Sequence, residues 1–454
     1  MAEASKHQRI SAPGWRRDAF SGWGRLARAE MLAARPERAS ELAGILTSAG
    51  SEGIIVHAGG RSYGDSALNA GGRAILTRRL DRLLAFDPAS GLLVAEAGVR
   101  FEDLRRVLLP RGFLAPVTPG TAYATLGGAI AHDVHGKNQD RAGNFGTHVE
   151  WLDLMLPSGE LRRLTPADPL FRATVGGLGL TGVILALALR LMPVPSRFVA
   201  VRERRVGDLD EFLGALEVER SRAAYSVGWI DAQAQGRALG RGIVEAADPV
   251  AAKAGESYAE ARGRRLPVDL PGFVLNPLSI AAFNALYWRR VPKEGRERRL
   301  AYDRFLYPLD AIADWNRLYG RHGFHQFQAL LPEPGAIRVL LEACAASRAA
   351  SFLAVLKTMG QQGTGLLSFG GRGHTLALDF PAGPGIDGLL GRLERLVLDH
   401  GGQVYLAKDS RLSAAGFAAM YPRLPEFREI LAEIDPEGRM RSDLAVRLAI
   451  RRAA

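Results

Sequence analysis

Four glycine-dense stretches crowd the segment from Gly59 to Gly182, and they constrain the fold more than any other feature of this 454-residue chain. The first is Gly59-Gly60-Arg61-Ser62-Tyr63-Gly64-Asp65. The second joins Pro119-Gly120-Thr121 to Thr125-Leu126-Gly127-Gly128, and the third joins His135-Gly136-Lys137-Asn138 to Gly143-Asn144-Phe145-Gly146. The fourth runs Gly176-Gly177-Leu178-Gly179-Leu180-Thr181-Gly182. Glycine lets a backbone come close to another group, and successive N–H groups in such turns form concave nests for anions. A single turn of this kind needs no ligand. Four on one small unit are explained together by a long ligand whose pyrophosphate lies against several loop backbones. No stretch is a GxGxxG fingerprint, and no GK[ST] follows the first, so neither a Rossmann nor a Walker loop is present.

Composition removes other classes. The chain is 47% hydrophobic and 24% charged, as folded proteins are, and its length suits two or three domains. A formal net charge of +11 admits nucleic acid as a partner, yet the arginines are dispersed and no nucleic-acid-binding motif occurs, so none is expected. Only six of the 59 Lys and Arg residues are lysine: Lys6, Lys137, Lys253, Lys293, Lys357 and Lys408. A site that needs a compact, tunable ammonium cannot use arginine, which draws attention to these few. The lone cysteine, Cys344, excludes an intramolecular disulfide and cysteine-ligated zinc, and its apolar surroundings make it a packing thiol. Met1–Arg17 has no apolar core for a signal peptide, and the longest apolar run, Thr174–Leu189, falls short of the ~18 residues of a span. A cytoplasmic protein is expected.

The texture is α+β. Before about Glu41 an arginine-rich arm is expected, followed by short strands at Gly53–Ala58, Ile75–Thr77 and Leu92–Ala97. Phe101, Leu104, Val107 and Leu108 fall at helical spacing, closed by Pro110 and Gly112. Strands at Trp151–Leu156, Gly159–Leu164 and Val183–Leu191 complete a first unit. Beyond Pro195, Phe198–Val206, Ala224–Trp229, Leu300–Tyr307, Gln326–Leu331 and Phe352–Lys357 read as strands of one broad antiparallel sheet. Helices at Leu209–Arg220, Pro334–Ala350 and Ile386–His400 flank it, Gln235–Gly272 reads as a polar loop, and Gln403–Ala407 as a last strand. The division is 1–195, 196–400, and a C-terminal segment 401–454 returning to the glycine loops.

The order GGRSYGD, PGT, TxGGAIAxDxHGKN, GxFGxH and TVGGxGLTGxI resembles the PCMH-type flavin-binding domain of the vanillyl-alcohol-oxidase-like FAD enzymes. Tyr307–Asp310, Trp315–Arg317, Gln326–Gln328, Ala407–Arg411 and Met420–Arg423 extend the likeness to the decaprenylphosphoryl-β-D-ribose 2′-oxidase branch. The resemblance implies FAD, with its pyrophosphate on the loops of Gly59, Gly60, Arg61, Ser62, Tyr63, Gly64 and Asp65, of Gly120, and of Thr125, Leu126, Gly127 and Gly128. It implies that His132, His135, Gly136, Asn138, Ile184 and Tyr405 line the cofactor. Many relatives bond the flavin to a histidine in the first loop. Tyr63 stands there, so noncovalent FAD is expected.

Oxidation of a secondary alcohol passes hydride to flavin, and an ammonium stabilises the charge that develops. Lys408 suits that role, with His135 assisting proton removal and Tyr307 beside the substrate. Lys357, Trp229 and Tyr63 are expected to meet the substrate, with the Gln326 and Gln328 amides on one strand face for sugar hydroxyls. HisxxHis at His132 and His135 has no third ligand pattern, so no metal is expected. The branch's pocket cysteine and asparagine are replaced by Ala377 and Thr375, which bears on the sugar rather than the redox chemistry. The implied reaction is oxidation of the 2′-hydroxyl of a polyprenyl-phosphate-linked ribose. A free alditol or aldonolactone is the alternative substrate. A keto-sugar reductase is the implied partner, and membrane association at most peripheral.

Overall fold

The computed structural model describes residues 14–258, 263–349 and 352–451; of the expected elements, Met1–Pro13 of the arm, 259–262 of the polar loop and Ala350 lie outside them. The expected arm is in fact two strands. Arg16–Ser21 pairs antiparallel with Arg28–Ala34, which runs parallel to Arg73–Ile75, itself parallel to Ile54–Val56. Exposed Arg28 and Glu30 alternate with the buried Ala29 and Met31 on Arg28–Ala34, the pattern of a strand with one solvated face. A second, antiparallel sheet has the order Leu83–Asp87, Leu92–Glu96, Val183–Arg190, Val149–Met155 and Leu161–Leu164. Its central strand, Val183–Arg190, is buried up to Arg190, as its continuous apolar run requires. The helix Phe101–Leu108 buries Phe101, Leu104 and Leu108 and ends where Gly112 turns left-handed.

The second unit is built on an eight-stranded antiparallel sheet. Its order is Arg296–Ala301, Phe198–Val206, Gly242–Val250, Tyr225–Ile230, Ala354–Met359, Gly373–Pro381, Phe324–Leu331 and Gln403–Val404. Helices Leu209–Arg222, Pro334–Ser347 and Ile386–Asp399 pack on this sheet. Two-residue periodicity separates the faces. Gly228 lies under the Phe212 ring of the first helix, where a Cβ would come within 2.2 Å, while its neighbours Val227 and Trp229 face the opposite way, into a cavity. Cys344 is fully buried in the helix Pro334–Ser347, and burial pushes its thiol up to about 12.

Three expected elements differ. Leu300–Tyr307 is a strand only to Ala301; Tyr302, Phe305 and Leu306 then bury one side of a short helix, a spacing helical rather than alternating. Gln235–Gly272 contains the nine-residue strand Gly242–Val250, hidden by its small residues and by Glu245. Gln403–Ala407 is a strand only through Val404, after which Leu406–Lys408 forms a 3-10 turn.

That turn ties the two units together. The Tyr63 N–H donates to Ala407 O at 2.9 Å, and Arg447 pairs with both Asp65 and Asp409 at 2.8 Å. Gly64 packs so closely that a Cβ would lie 2.0 Å from Asp409 O. A Gly64→Ala substitution is therefore expected to destabilise the protein by about 1–3 kcal/mol, the usual range for overpacking. Thermal unfolding with parallel measurement of bound chromophore checks this, and an unchanged midpoint contradicts the packing described.

Candidate active site

A cavity of about 740 Å³ lies between the glycine loops and the open face of the large sheet, within the range of small-molecule sites. Gly59–Tyr63, Gly120, Thr125, Gly127, Gly128, His132 and Ile184 line one side. Trp229, Gln326, Gln328 and Lys357 line the sheet side, with His135, Gly136, Tyr405 and Lys408 completing the wall. Five expected residues are not part of this lining. Gly64 sits under the Asp409 carbonyl, Asp65 is held by Arg447, and Leu126 is fully buried in the core. Asn138 spends its amide on Pro116 O at 2.9 Å, which shapes the loop behind the wall. Tyr307 is only 4% exposed and packs in the core, its hydroxyl directed to Thr118, so Leu306 and Pro308 reach the cavity instead.

Hydrogen-bond accounting separates the glycine loops by role. The N–H groups of Leu126 and Gly127 are taken by Val99 O and Ala97 O, and that of Gly128 by Thr125 Oγ1. Gly127 is glycine because Ala97 Cβ would lie 2.9 Å from any side chain there. Among the described residues, by contrast, no acceptor meets the N–H groups of Gly60, Arg61 and Ser62, nor those of Gly120 and Thr121. Gly60 has φ of +61°, which turns the loop at this point. Arg61 stacks between Trp23 and Tyr123, at 4.2 and 5.1 Å from the ring centroids, with a buried Nε that has no partner. Unpaired N–H groups and a guanidinium at one end of a cavity fit a pyrophosphate, as FAD requires.

At the other end three lysines converge. Lys137 donates to Phe305 O and lies 4.1 Å from that ring's centroid, while Lys357 donates to Gly136 O at 3.3 Å. The Lys408 ammonium lies 5.8 Å from the centroid of the Tyr63 ring. Among the described residues, no ion pair is formed by any of the three, and Glu245 and Asp379 act on Lys137 and Lys408 only from farther off. Burial, then the Lys408 and Lys137 charges, bring Lys357 down to about 7. Burial lowers Lys408 as well, opposed by Asp379.

His135 sits among these charges. Gln328 Nε2 donates to His135 Nε2 at 3.0 Å and to Thr375 Oγ1 at 2.9 Å, which leaves the His135 proton on a buried, unpartnered Nδ1. Burial first, then Lys357 and Lys408, hold this imidazole well below its ordinary value. The neutral imidazole is thereby favoured, with Nε2 accepting from Gln328. His132 is also neutral and fully engaged, between Gly128 O and Ser66 Oγ, both at 3.2 Å.

Sequence reasoning missed Asp379. It accepts from Gln326 Nε2 and from the Tyr319 hydroxyl, and burial raises its carboxyl above the usual range. Asp379 pairs directly across the sheet with Gln326, so only the strand register reveals it. Glu245 and Tyr287 were missed too, since each belongs to a stretch taken as loop or left unassigned. Ala377 opposes Gln328 in the same register and lines the cavity.

A family model described as an FAD binding domain matches residues 31–165. Decaprenylphosphoryl-β-D-ribose oxidase of Mycolicibacterium smegmatis is 36% identical over 449 residues, 94% of this chain and 97% of that one. A Streptomyces coelicolor protein described by its place in the mprA 5′ region is 35% identical over 78% of this chain and 100% of its own. An alditol oxidase of a Streptomyces species is 30% identical, over only 35% of this chain and 38% of its own.

The lysine cluster has a measurable cost. Folded Lys357 releases its proton near 7, and the unfolded residue does so near the ordinary lysine value of 10.5. The unfolded state therefore holds more protons between those values, and stability rises with pH across that window. Below it the penalty is fully present. A Lys357→Met protein, free of ligand, is expected to gain more in Tm over the parent at pH 6 than at pH 10. Equal gains at both values contradict the buried ammonium.

Proposed function

Because the chain belongs to the family of FAD-binding oxidases that includes decaprenylphosphoryl-β-D-ribose oxidase, we propose that it oxidises the 2′-hydroxyl of a polyprenyl-phosphate-linked ribose to a ketone. One observation carries this reading. A single cavity runs from unpaired loop N–H groups suited to a pyrophosphate to a wall of buried lysines and amides suited to a phosphorylated sugar. The product suits reduction from the opposite face by a keto-sugar reductase, completing an epimerisation.

FAD, when bound, supplies the acceptor for the hydride leaving the carbinol carbon. The protein supplies the rest. Lys357, brought down to about 7 by burial and by Lys408 and Lys137, has the amine form within reach and takes the hydroxyl proton at Nζ. Lys408 keeps its proton at that pH and holds an ammonium where negative charge develops. Gln326 has an unpartnered buried Oε1, and His135 an unpartnered Nδ1–H, an acceptor and a donor for sugar hydroxyls. Trp229 is fixed by donating Nε1–H to Phe352 O at 2.8 Å and packs on Tyr287, giving an apolar wall for the sugar face. Tyr63 contributes its ring beside Lys408.

A noncovalent cofactor is part of the proposal. In support, His132 is engaged by Gly128 and Ser66, His135 Nε2 by Gln328, and Cys344 lies in a helix core. Among the described residues no helix is long and apolar enough to cross a membrane, so contact with a lipid-borne substrate is peripheral in this reading.

Purified protein is expected to be yellow and to release its chromophore on denaturation. Colourless protein that cannot be reconstituted with FAD refutes the reading. Under nitrogen, a prenyl-phosphoryl ribose should bleach the flavin and an alditol should not; the reverse result assigns a free-sugar oxidase. Lys408→Ala is expected to slow bleaching by about 10²-fold or more, the scale for losing one charge-stabilising group. In the parent the rate should rise as pH passes through about 7, where Lys357 frees its amine, and fall on the alkaline side as Lys408 loses its proton. A Lys357→Met variant retaining the acid limb would overturn that assignment.

A further inference from the structure

Among the described residues, five of the twelve exposed large hydrophobics lie in one stretch, Val268, Phe273, Leu278, Phe283 and Leu286, and a sixth, Ile312, pairs with Arg264 just before it. Their centre is the helix Pro277–Arg289, which is well made rather than frayed. Asn276 Oδ1 accepts from the N–H groups of Leu278 and Ser279 at 2.9 and 3.1 Å, Ser279 Oγ returns a bond to the Asn276 N–H, and Pro277 occupies the first turn. Its inner side is anchored by Ile280, by Asn284 on Asp231 at 2.7 Å, and by Trp288 on Val206 O at 2.9 Å. The outer side carries Leu278 at 83% and Leu286 at 71% exposure, and Phe273 just before the helix is 77% exposed. Side chains of this size leave water only for a partner.

We propose that this outer face docks the protein on the surface of an anionic lipid bilayer, at the mouth of the cavity. The inference rests on the reading of the substrate as lipid-linked and names the surface that meets the lipid.

Charge and position select the occupant. No acidic residue occurs from Leu270 to Lys293, while Arg289 and Lys293 stand exposed at the helix's C-terminal end and Arg264 beside the preceding loop, where its neighbour Arg265 pairs with Asp314 at 2.7 Å. Asp269 is neutralised by Arg25 at 2.7 Å and Arg317 at 3.0 Å; Glu294, next to Lys293, is the nearest opposing charge in sequence. An apolar face rimmed by cations is the pattern of an interfacial helix on anionic headgroups. The patch also continues into the cavity. Tyr287 of the same helix lines it, and Ile312, both exposed and cavity-lining, pairs with Arg264. A polyprenyl tail leaving the cavity thus passes over apolar side chains into the bilayer, with its phosphate near cations.

The test uses the full-length flavoprotein and vesicles of phosphatidylcholine with about one third phosphatidylglycerol, against phosphatidylcholine alone. The parent is expected to float with the anionic vesicles and to be released by high salt. The Phe273→Ser/Leu278→Ser/Leu286→Ser variant, altered only at exposed positions, should lose at least ten-fold in partitioning, on the order of the loss for removing several apolar anchors. Its flavin spectrum and bleaching by a short-chain, water-soluble phosphoryl ribose should be unchanged. Equal partitioning of variant and parent, or no flotation of the parent, overturns the proposal. So does a parent dimer that the variant abolishes in sedimentation while vesicle binding persists, which assigns the face to a second copy. Flotation without bleaching by any phosphoryl ribose would fail the substrate reading alone, and bleaching without flotation the docking surface alone.

Discussion

Lys137, Lys357 and Lys408 are buried together with no carboxylate in ion-pair contact among the described residues, only Glu245 and Asp379 acting on Lys137 and Lys408 from farther off, and this concentration of positive charge is what the rest of the site is organised around. Removing ammonium groups from water costs several kcal/mol each unless an opposite charge or proton loss compensates. Here part of the compensation is proton loss, seen in the depressed Lys357 and in a histidine kept neutral. Asp379 and Glu245 supply part of the rest from a distance, and a cavity of this charge favours an anionic ligand.

The large sheet makes such a wall affordable. One face is sealed by helices, with Phe212 over Gly228 as the tightest point, so packing energy is gathered there. The opposite face is free to carry amides, a tryptophan and a lysine at alternate positions. Asp379 shows the division well. It lies on the strand next to Gln326 and steadies that amide from the side, which leaves the Gln326 carbonyl oxygen available.

Much of this arrangement was legible in the residues. The four glycine stretches announced a ligand with a pyrophosphate, and the scarcity of lysine pointed to Lys357 and Lys408, both of which line the cavity. What escaped was whatever depends on register or on competition for hydrogen bonds. Gly127 looks like Gly60 in sequence, yet its N–H is already taken by Ala97 O. Tyr307 sits in a persuasive motif, but the helix at Tyr302–Leu306 turns it into the core. Strand Gly242–Val250 read as loop because its residues are small and Glu245 interrupts them, although that carboxylate faces the cavity beside Arg290.

The backbone bond from Tyr63 to Ala407 has a consequence for how the molecule is made. The loop that offers its N–H groups to a pyrophosphate is among the first parts of the chain to leave the ribosome, and the turn that secures it is among the last. Closing a contact across so long a separation is slow and entropically late. Until residues 403–447 have been synthesised and docked, Tyr63 lacks its partner and Asp65 its arginine. The loop and the turn that secures it therefore meet only when nearly the whole chain is present, so the pocket closes with one of the last long-range contacts of folding.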